Sequence, residues 1–595
     1  MEEVTKSYES LTAKQCISTL SGYIRQFRIP SLLTPVFMVI EVLMETIIPY
    51  LMADIIDNGV SKGDLAHIYR VGALMVAFAL VSLTAGCLGA VFAAKASAGL
   101  SMNLRNAMYR NIQTFSFSNI DRFSTPGLIT RLTTDVTNVQ NAYQMLLRMC
   151  MRAPVSLILA MIMSFVISAR LALVYLVAVI FLVLFFCMII PKVTSYFSKV
   201  FVKYDDLNES VQENVSAIRV VKAFVREDAE KEKFEKAVGN LYGMFVRAEK
   251  MIITNMPVMQ FTVYGCILAI SWFGANMIVY GSLSTGELMS MLTYCMNILM
   301  NLMMLSVIFV MMTMSAASAK RITEVIREES DLSDPKDPLT TVKDGSITFE
   351  NVSFGYNKTA SEKVLRNINL KIESGQTIGI IGGTGSAKST LVSLICRLYD
   401  VDEGSVKVGG ADVRDYSMEV LRNRVAIVLQ QNNIFSGSIL DNLRWGDPDA
   451  TDEECIRACR MASADEFIEN FPEKYETHIE QGGSNVSGGQ KQRLCIARAL
   501  LKDPKIIIFD DSTSAVDTAT DARIRKSLKN SMPDVTKIII AQRISSIQDA
   551  DAIIVLDDGI ISGFGTHEEL LKNNEIYRDV YGSQISGTGD FDRPA

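Results

Sequence analysis

Long apolar stretches fill the first half of the chain, and short apolar runs separated by glycine-rich turns fill the second half. Each long stretch comes close to the ~20 apolar residues that cross a bilayer core. They lie at 31–53, 70–95, 141–166, 171–191, 257–280 and 288–314. A globular core cannot use six such segments. The pattern therefore predicts an all-α transmembrane domain of six helices over residues 31–325.

The segments around this domain have a different character. Residues 1–30 end in QCISTLSGYIRQFRIP, where apolar and basic groups alternate, which predicts an amphipathic helix lying at the membrane interface. A charged linker at 326–345 contains DLSDPKDP, and β-rich runs with glycine turns then indicate an α/β domain over 346–580. The polar, glycine-containing segment 581–595 is expected to be a flexible tail.

The loops between the apolar stretches alternate between short and long. Ser168, Ala169 and Arg170 join the third and fourth stretches, whereas the loops after the second and fourth are long and rich in Lys and Arg. Basic residues near span ends favour the cytoplasmic side, so both termini and both long loops are expected there. Each long loop has a turn-like interruption, FSTPG at 123–127 and NESVQEN at 208–214, where a short transverse helix could form.

Four charged residues lie within the apolar stretches. Glu41 and Glu45 are one helical turn apart in the first, and Arg148 and Arg152 have the same spacing in the third. An ionisable group inside a membrane is a functional candidate, here a contact in the substrate pathway or an ion pair between helices. The alternative is a position near the interface or a purely structural pair.

A glycine-rich turn follows the apolar run Thr377–Ile381 and leads into an amphipathic helix. The turn, GGTGSAKST, nearly matches G-x-x-x-x-G-K-[ST], in which backbone N–H groups converge on phosphate oxygens. Its residues are Gly382, Gly383, Thr384, Gly385, Ser386, Ala387, Lys388, Ser389 and Thr390. Lys388 would reach the β/γ-phosphates, and Ser389 would bind Mg²⁺. The turn therefore predicts an α/β P-loop ATPase domain that uses ATP and Mg²⁺; the alternative is an ordinary glycine-rich turn between a strand and a helix.

Ala387 replaces the last glycine of that motif. Its methyl group either crowds the approach of backbone to phosphate, or is tolerated if Ala387 is the first helical residue with φ below zero.

The composition of the chain argues against two classes of function. The net charge is −7 and no basic stripe dominates, which argues against a nucleic-acid partner. The ten cysteines lack paired metal spacing, so we expect reduced thiols.

Several further motifs around the phosphate loop resemble those of the ATP-binding cassette exporter family, specifically a half-transporter. They are VSFGYN, AIVLQQNNIFSGSI, NVSGGQKQR, IIIFDD and SAVD. The resemblance implies that Tyr356 stacks on adenine, that Gln430 contacts Mg²⁺ and the attacking water, and that Asp510 holds Mg²⁺ through water. It also implies roles in a second subunit's site. Ser487, Gly488, Gly489 and Gln490 would bind the γ-phosphate of the nucleotide held by that subunit, and Asp517 would lie in the loop that crosses the interface.

Three positions depart from the family pattern. Asp511 stands where the family has a catalytic glutamate, Gln542 where it has a switch histidine, and Gln481 where it has a glutamate before the signature. Losing one methylene retracts the carboxylate by roughly 1 Å, and such misplacement can cost on the order of 10²-fold in rate. An amide cannot carry a proton charge. We therefore predict a heterodimer in which this chain binds ATP but hydrolyses it poorly; the alternative is a slow homodimer.

The resemblance implies a multi-pass cell-membrane protein with a cytoplasmic ATPase domain. The expected function is export of hydrophobic or amphipathic small molecules, of the multidrug type, in contact with membrane lipid. Lipid or peptide export is the alternative within this class, and an ATP-gated channel or regulator is a hypothesis from another class. Transport against a gradient in vesicles separates the last from the others.

Overall fold

The computed structural model describes residues 11–357, 362–512 and 516–585, and these fall into two compact units. One unit comprises the described parts of Lys6–Gln113 and Thr125–Glu328. The other combines Thr114–Ser124 with the described part of Glu329–Ala595. A short piece of the first long loop thus packs with the second half of the chain.

The described part of the first unit is helical, and the six predicted spans lie on six of its helices, with the fifth span ending one residue past its helix. The helices are α1 (Ala13–Ser21), α2 (Arg28–Asp54), α3 (Leu65–Ile112), α5 (Thr125–Thr130), α6 (Val136–Ile167), α7 (Ala169–Ser216), α8 (Ile218–Ala223), α9 (Glu227–Ile253), α10 (Asn255–Val279) and α11 (Thr285–Arg327). Within the described part of the chain, six helical segments are long and apolar enough to cross a membrane, which confirms the predicted all-α membrane domain.

Two of these helices are much longer than a bilayer is thick. Helices α3 and α7 have 48 residues each, which corresponds to about 72 Å of helix against a hydrocarbon core of about 30 Å. The short predicted connection is also present, since Ser168 alone separates α6 from α7. The helices that contain these spans are therefore long enough to continue beyond the bilayer.

The two predicted interruptions have different outcomes. The chain does turn at the first, where Ser124 has φ +56° and ends α4 (Phe117–Phe123). This short helix belongs to the second unit. The second prediction is wrong, because residues 208–214 are helical within α7. The chain breaks instead at Ala217 and forms the short helix α8 after it. Glu209, Gln212 and Glu213 in NESVQEN are good helix formers and favour continuation of the helix over a turn.

The core of the membrane unit lies between α6, α7, α10 and α11. Tyr175, Ile270, Met291 and Tyr294 are fully buried there. The Tyr175 hydroxyl donates to the Met291 carbonyl at 2.6 Å, and the Tyr294 hydroxyl donates to the Thr46 carbonyl on α2 at 2.7 Å. Buried hydroxyls satisfied by helix carbonyls fix the relative positions of neighbouring helices.

The second unit contains two main sheets flanked by helices. Its helices are α4, α12 (Lys388–Ile395), α13 (Met418–Arg424), α14 (Ile439–Leu443), α15 (Asp452–Met461), α16 (Asp465–Ile468), α17 (Gly488–Leu500), α18 (Thr518–Ser531), α19 (His567–Asn573) and α20 (Glu575–Ile585). Its strands are β1 (Ile347–Phe354), β2 (Leu365–Ile372), β3 (Thr377–Gly382), β4 (Glu403–Val408), β5 (Ala411–Asp412), β6 (Val425–Val428), β7 (Gly437–Ser438), β8 (His478–Ile479), β9 (Ile506–Asp510), β10 (Thr536–Ile540), β11 (Ala552–Asp557) and β12 (Ile560–Gly565).

The larger sheet positions the candidate site. Its strand order is β12-β11-β3-β10-β9-β6, and all neighbours are parallel except β11 and β12. Strands β9 and β10 are buried along their whole length, as expected for parallel strands covered on both faces. Ligands of such sheets bind beyond the carboxyl ends of the strands. The phosphate loop, Asp511 and Gln542 follow the carboxyl ends of β3, β9 and β10.

The smaller sheet is antiparallel, with the order β2-β1-β4-β5. The predicted linker packs near it, since Leu339 exchanges backbone hydrogen bonds with Asp415 and Ser417. At the chain ends, α1 lies within the predicted amphipathic segment, and α20 makes residues 581–585 helical rather than part of a flexible tail. Residues 1–10 and 586–595 lie outside the described residues.

Candidate functional site

The phosphate loop joins β3 to α12 at the centre of the parallel sheet. Lys388 is the first residue of α12, and its Nζ donates to the carbonyl oxygens of Gly382 and Gly383 at 2.8 Å each. The ammonium group therefore folds back over the loop, on the side where the first N–H groups of the helix point. A cation and helix N–H groups in this arrangement suit a phosphate chain.

Ala387 adopts a left-handed conformation, with φ +73° and ψ 24°, and is the N-cap of α12. The prediction that it could serve as a helical residue with φ below zero is wrong. The loop keeps the backbone that glycine would prefer, because the turn from β3 into α12 requires it. A non-glycine residue pays roughly 1–2 kcal/mol for this conformation.

Ala387→Gly is expected to relieve this strain and to stabilise the ATPase unit by about 1 kcal/mol. Such a change corresponds to a rise in melting temperature of about 2–4 °C for a domain of this size, measurable by scanning fluorimetry on the full-length chain. The matched control is Gly385→Ala. Gly385 has φ +83° and an added Cβ would meet nothing within 4 Å, so its substitution introduces only the backbone strain. A lower melting temperature for A387G would contradict the interpretation.

The predicted Mg²⁺ residues Ser389 and Asp510 lie together. The Ser389 Oγ donates to Asp510 Oδ1 at 2.8 Å. Asp510 is the last residue of β9 and is buried. Burial raises the pKa of Asp510, while the Ser389 hydrogen bond and the nearby Lys388 charge oppose that rise. A hydroxyl and a carboxylate at this distance can share one Mg²⁺ that also binds phosphate oxygens.

Asp511 accepts hydrogen bonds from two of the glutamines that the sequence singled out. Gln542 Nε2 donates to Asp511 Oδ2 at 2.8 Å, and Gln430 Nε2 lies 3.5 Å from the same oxygen. Asp511 has φ +46°, a conformation that Asp tolerates better than most residues. Burial and then the Asp510 carboxylate raise the pKa of Asp511. The structure thus brings Gln430, Asp511 and Gln542 into one cluster next to the phosphate loop.

Two buried hydroxyls beside these residues lack hydrogen-bond partners. They are Ser386 Oγ within the phosphate loop and Ser512 Oγ after Asp511. Buried polar atoms are almost always paired, so unpaired ones at a phosphate loop fit a polar ligand. Among the described residues no group of three or more His, Cys, Asp or Glu side chains forms a metal site. The Ser389–Asp510 pair and the two unpaired hydroxyls therefore fit a nucleotide whose phosphates supply further Mg²⁺ ligands.

Tyr356, the predicted adenine-stacking residue, stands beside the end of the phosphate motif. Its hydroxyl is 3.0 Å from Thr390 Oγ1, and the side chain is 54% exposed. An aromatic ring with one open face offers a stacking surface to a base. Its position beside the phosphate motif supports the predicted role.

The signature residues form the N-terminus of α17. Ser487 is the N-cap, its Oγ accepts from Gln490 N at 3.3 Å, and Gln490 Oε1 accepts from Ser487 N at 2.8 Å. Gly488 and Gly489 occupy the first helical turn, where the N–H groups have no helical partner. Asp517 has a comparable local role, because it caps α18 by accepting from Thr520 N. Ser514 and Ala515 of the SAVD loop lie outside the described residues.

Three of the four charged membrane residues form one ion-pair cluster. Arg152 on α6 donates to Glu41 at 2.5 Å and to Glu45 at 2.8 Å, both on α2. The side chains of Glu41, Glu45 and Arg152 are 13%, 48% and 37% exposed. Gly86 on α3 leaves room for the Glu41 carboxyl, which an added Cβ would approach to 3.1 Å. Arg148 is not in this cluster, and its Nε is buried without a partner.

Arg152→Ala is expected to destabilise the membrane unit by about 3–5 kcal/mol, because it leaves the Glu41 carboxylate unpaired in a largely apolar surrounding. The more exposed Glu45 should matter less, with Glu45→Gln costing about 1 kcal/mol or less. Thermal unfolding of the detergent-solubilised full-length chain measures both. Equal melting temperatures for R152A and E45Q would contradict the expectation that the pairing of Arg152 with Glu41 stabilises the membrane unit.

Sequence reasoning missed the contacts around Tyr399. This residue lies shortly after α12, and its hydroxyl donates to Asp121 Oδ2 on α4 at 2.7 Å. No local sequence pattern pairs these two residues with each other. All ten cysteines are free, as predicted.

Comparison with known proteins matches both halves of the chain. Residues 32–303 match the model of the ABC transporter transmembrane region, and residues 365–514 match that of the ABC transporter. The uncharacterized ABC transporter ATP-binding protein YfiB of Bacillus subtilis (strain 168) is 37% identical over 554 residues, or 93% of this chain and 96% of that protein. The ATP-dependent lipid A-core flippase of Desulfotalea psychrophila is 31% identical over 584 residues, 96% of this chain and 100% of that protein.

A solved structure has the same fold. A bacterial Atm1-family ABC exporter with ATP bound superposes with a TM-score of 0.79, at 23% sequence identity, and the match covers 94% of this chain and 99% of that one.

Proposed function

Because the chain belongs to the ABC transporter family, as its motifs indicated, we propose that it is one subunit of an ATP-driven exporter whose own ATP site is degenerate. It is a membrane protein with an ATPase domain, and six helices among its described residues can span the bilayer. In the proposal its termini and ATPase domain are cytoplasmic. Its partner is a second half-transporter with a complete set of catalytic groups.

The observation that carries the proposal is the Asp511–Gln542 pair. These two residues stand at the catalytic carboxylate and switch positions, and they contact each other at 2.8 Å. The carboxylate is one methylene short for orienting water, and the amide cannot take up a proton. Lys388, Ser389 and Asp510, by contrast, are intact and correctly grouped. The site should therefore bind ATP and hydrolyse it slowly.

Each residue group has a distinct task in this proposal. Lys388 and the N–H groups at the start of α12 hold the phosphates, while Ser389, Gln430 and Asp510 would hold Mg²⁺. Bound Mg²⁺ would neutralise phosphate charge. Tyr356 orients the base. Ser487 to Gln490 complete the partner's site, where the productive hydrolysis takes place, and Asp517 lies in the loop that crosses to the partner.

The proposed substrates are hydrophobic or amphipathic small molecules of the multidrug type, extruded by way of the membrane helices. Glu41, Glu45, Arg148 and Arg152 are the candidate pathway residues. Lipid translocation is a second candidate, favoured by the relative described as a lipid A-core flippase. Dye extrusion from vesicles and flipping of fluorescent lipid measure the two separately.

The test is the ATPase activity of the purified chain, alone and with the half-transporter that copurifies with it. We expect slow turnover alone and fast turnover in the complex. Vigorous hydrolysis by the chain alone would support the homodimer instead. ATP-dependent transport against a gradient in vesicles checks the exporter function, which passive flux through a channel would not reproduce.

A further inference from the structure

The loop that carries Gln542 is bound by a side chain from the last described helix, α20. We call residues 541–546, which follow β10, the switch loop. Gln584 on α20 donates through Nε2 to the Gln542 carbonyl at 2.9 Å, and its Oε1 accepts from the Ile544 N–H at 2.9 Å. One side-chain amide therefore binds the backbone on both sides of Arg543.

These two hydrogen bonds fall where the switch loop has no regular structure. The Ala541 N–H still donates to the Ile380 carbonyl on β3 at 3.1 Å, and a short 3₁₀ turn begins at Ile544. Between these two points, Gln542 and Arg543 are exposed. The bonds from α20 therefore hold the piece of backbone from which the Gln542 side chain extends.

Helix α20 is itself firmly placed, so it can fix the position of the loop. Tyr577 and Val580 are buried in the same core as Ile544. The Tyr577 hydroxyl also forms a 2.6 Å hydrogen bond with His567 Nδ1. Gln584 follows Tyr577 by seven residues, which brings it back to the same face of the helix. The buried face of α20 thus ends in the amide that binds the switch loop.

The position of the Gln542 side chain bears on the terminal phosphate of a bound nucleotide. Its Nε2 donates to Asp511 Oδ2 at 2.8 Å. Asp511 stands at the position of the carboxylate that orients the attacking water, so a group bonded to it lies near the terminal phosphate of a nucleotide held by Lys388. An amide nitrogen carries two N–H groups, and a phosphate oxygen can accept from the second. ADP lacks that phosphate.

We propose that Gln584 is a positioning residue that holds the switch loop with the Gln542 amide toward the terminal phosphate, and so lets this site distinguish ATP from ADP. This inference rests on the nucleotide binding at Lys388 proposed above. Gln584 acts through the backbone of Gln542 and not by contact with the nucleotide. Loss of its two hydrogen bonds should therefore lower the affinity for a nucleotide with three phosphates and spare the affinity for one with two.

The test is binding of two fluorescent nucleotides to the full-length chain. MANT-AMP-PNP carries a third phosphate that is not hydrolysed, and MANT-ADP lacks it. Gln584→Met keeps the length and helix propensity of the side chain and loses both hydrogen bonds. It is expected to weaken MANT-AMP-PNP binding about fivefold, the effect of one ordinary hydrogen bond, and to leave MANT-ADP binding unchanged. In a Gln542→Ala background, Q584M should have no further effect.

Tyr577→Phe is the matched control, because it removes the hydrogen bond of α20 to His567 and leaves Gln584 in place. It should leave both affinities unchanged. Equal weakening of both nucleotides by Q584M, or unchanged binding of both, would overturn the role of Gln584 alone. Loss of MANT-AMP-PNP affinity in Y577F would also overturn it, by assigning the effect to docking of the whole helix. Absence of binding of either nucleotide by the wild-type chain would overturn the proposed function as well.

Discussion

The double variant D511E/Q542H is expected to raise hydrolysis at this chain's own site about 100-fold, because it restores the reach of the carboxylate and a titrating side chain. The measurement uses the complex with its partner, in which the partner's catalytic carboxylate has been converted to the amide. Only the site that contains Lys388 can then turn over. The release of inorganic phosphate from ATP then measures the hydrolysis rate of this site directly.

The single variants show how the two substitutions contribute. Glu at position 511 must adopt the left-handed backbone of Asp511, φ +46°, which costs roughly 1–2 kcal/mol for a residue less tolerant of it. Q542H alone should change the rate little, because the carboxylate stays short. The control D511N should also change it little, since the wild-type carboxylate contributes little to the rate. Loss of most own-site turnover in D511N would refute the degenerate-site proposal.

Element types and their order were predictable from the sequence because they depend on local patterns. Six apolar stretches became six helices, and the run Thr377–Ile381 became β3 with the phosphate loop after it. Where local signals were weak the prediction failed. The polar segment 208–214 reads as a turn by composition, yet Glu209, Gln212 and Glu213 are good helix formers and α7 continues through it.

Conformation and pairing within the site were not predictable in the same way. The φ of Ala387 is set by the turn between β3 and α12 rather than by alanine's own preference. The choice among the alternatives for Glu41 and Arg152 depended on which helices pack together, and the structure places α2 against α6. Tyr399 and Asp121 are 278 residues apart in sequence. A contact over that separation leaves no local pattern.

Ser487→Ala in this chain is expected to lower the ATPase activity of the complex on the order of 10²-fold, because the removed hydroxyl would bind the γ-phosphate in the partner's active site. Loss of one preorganised donor to a reacting oxyanion typically costs this much. The effect should be far larger than that of D511N in the same chain. Such asymmetry follows only if this chain supplies a signature to a productive site while its own site is slow.

The same substitution also removes a helix cap, so its effect on folding must be separated from its effect on catalysis. Thr451 provides the matched control, since it caps α15 through an equivalent capping box with Glu454 in the same unit. Thr451→Ala and S487A should each cost about 1 kcal/mol of stability. Only S487A should lower turnover. Similar activity of the two variants would mean that Ser487 does no more than cap α17, and that the partner's site does not depend on this chain's signature.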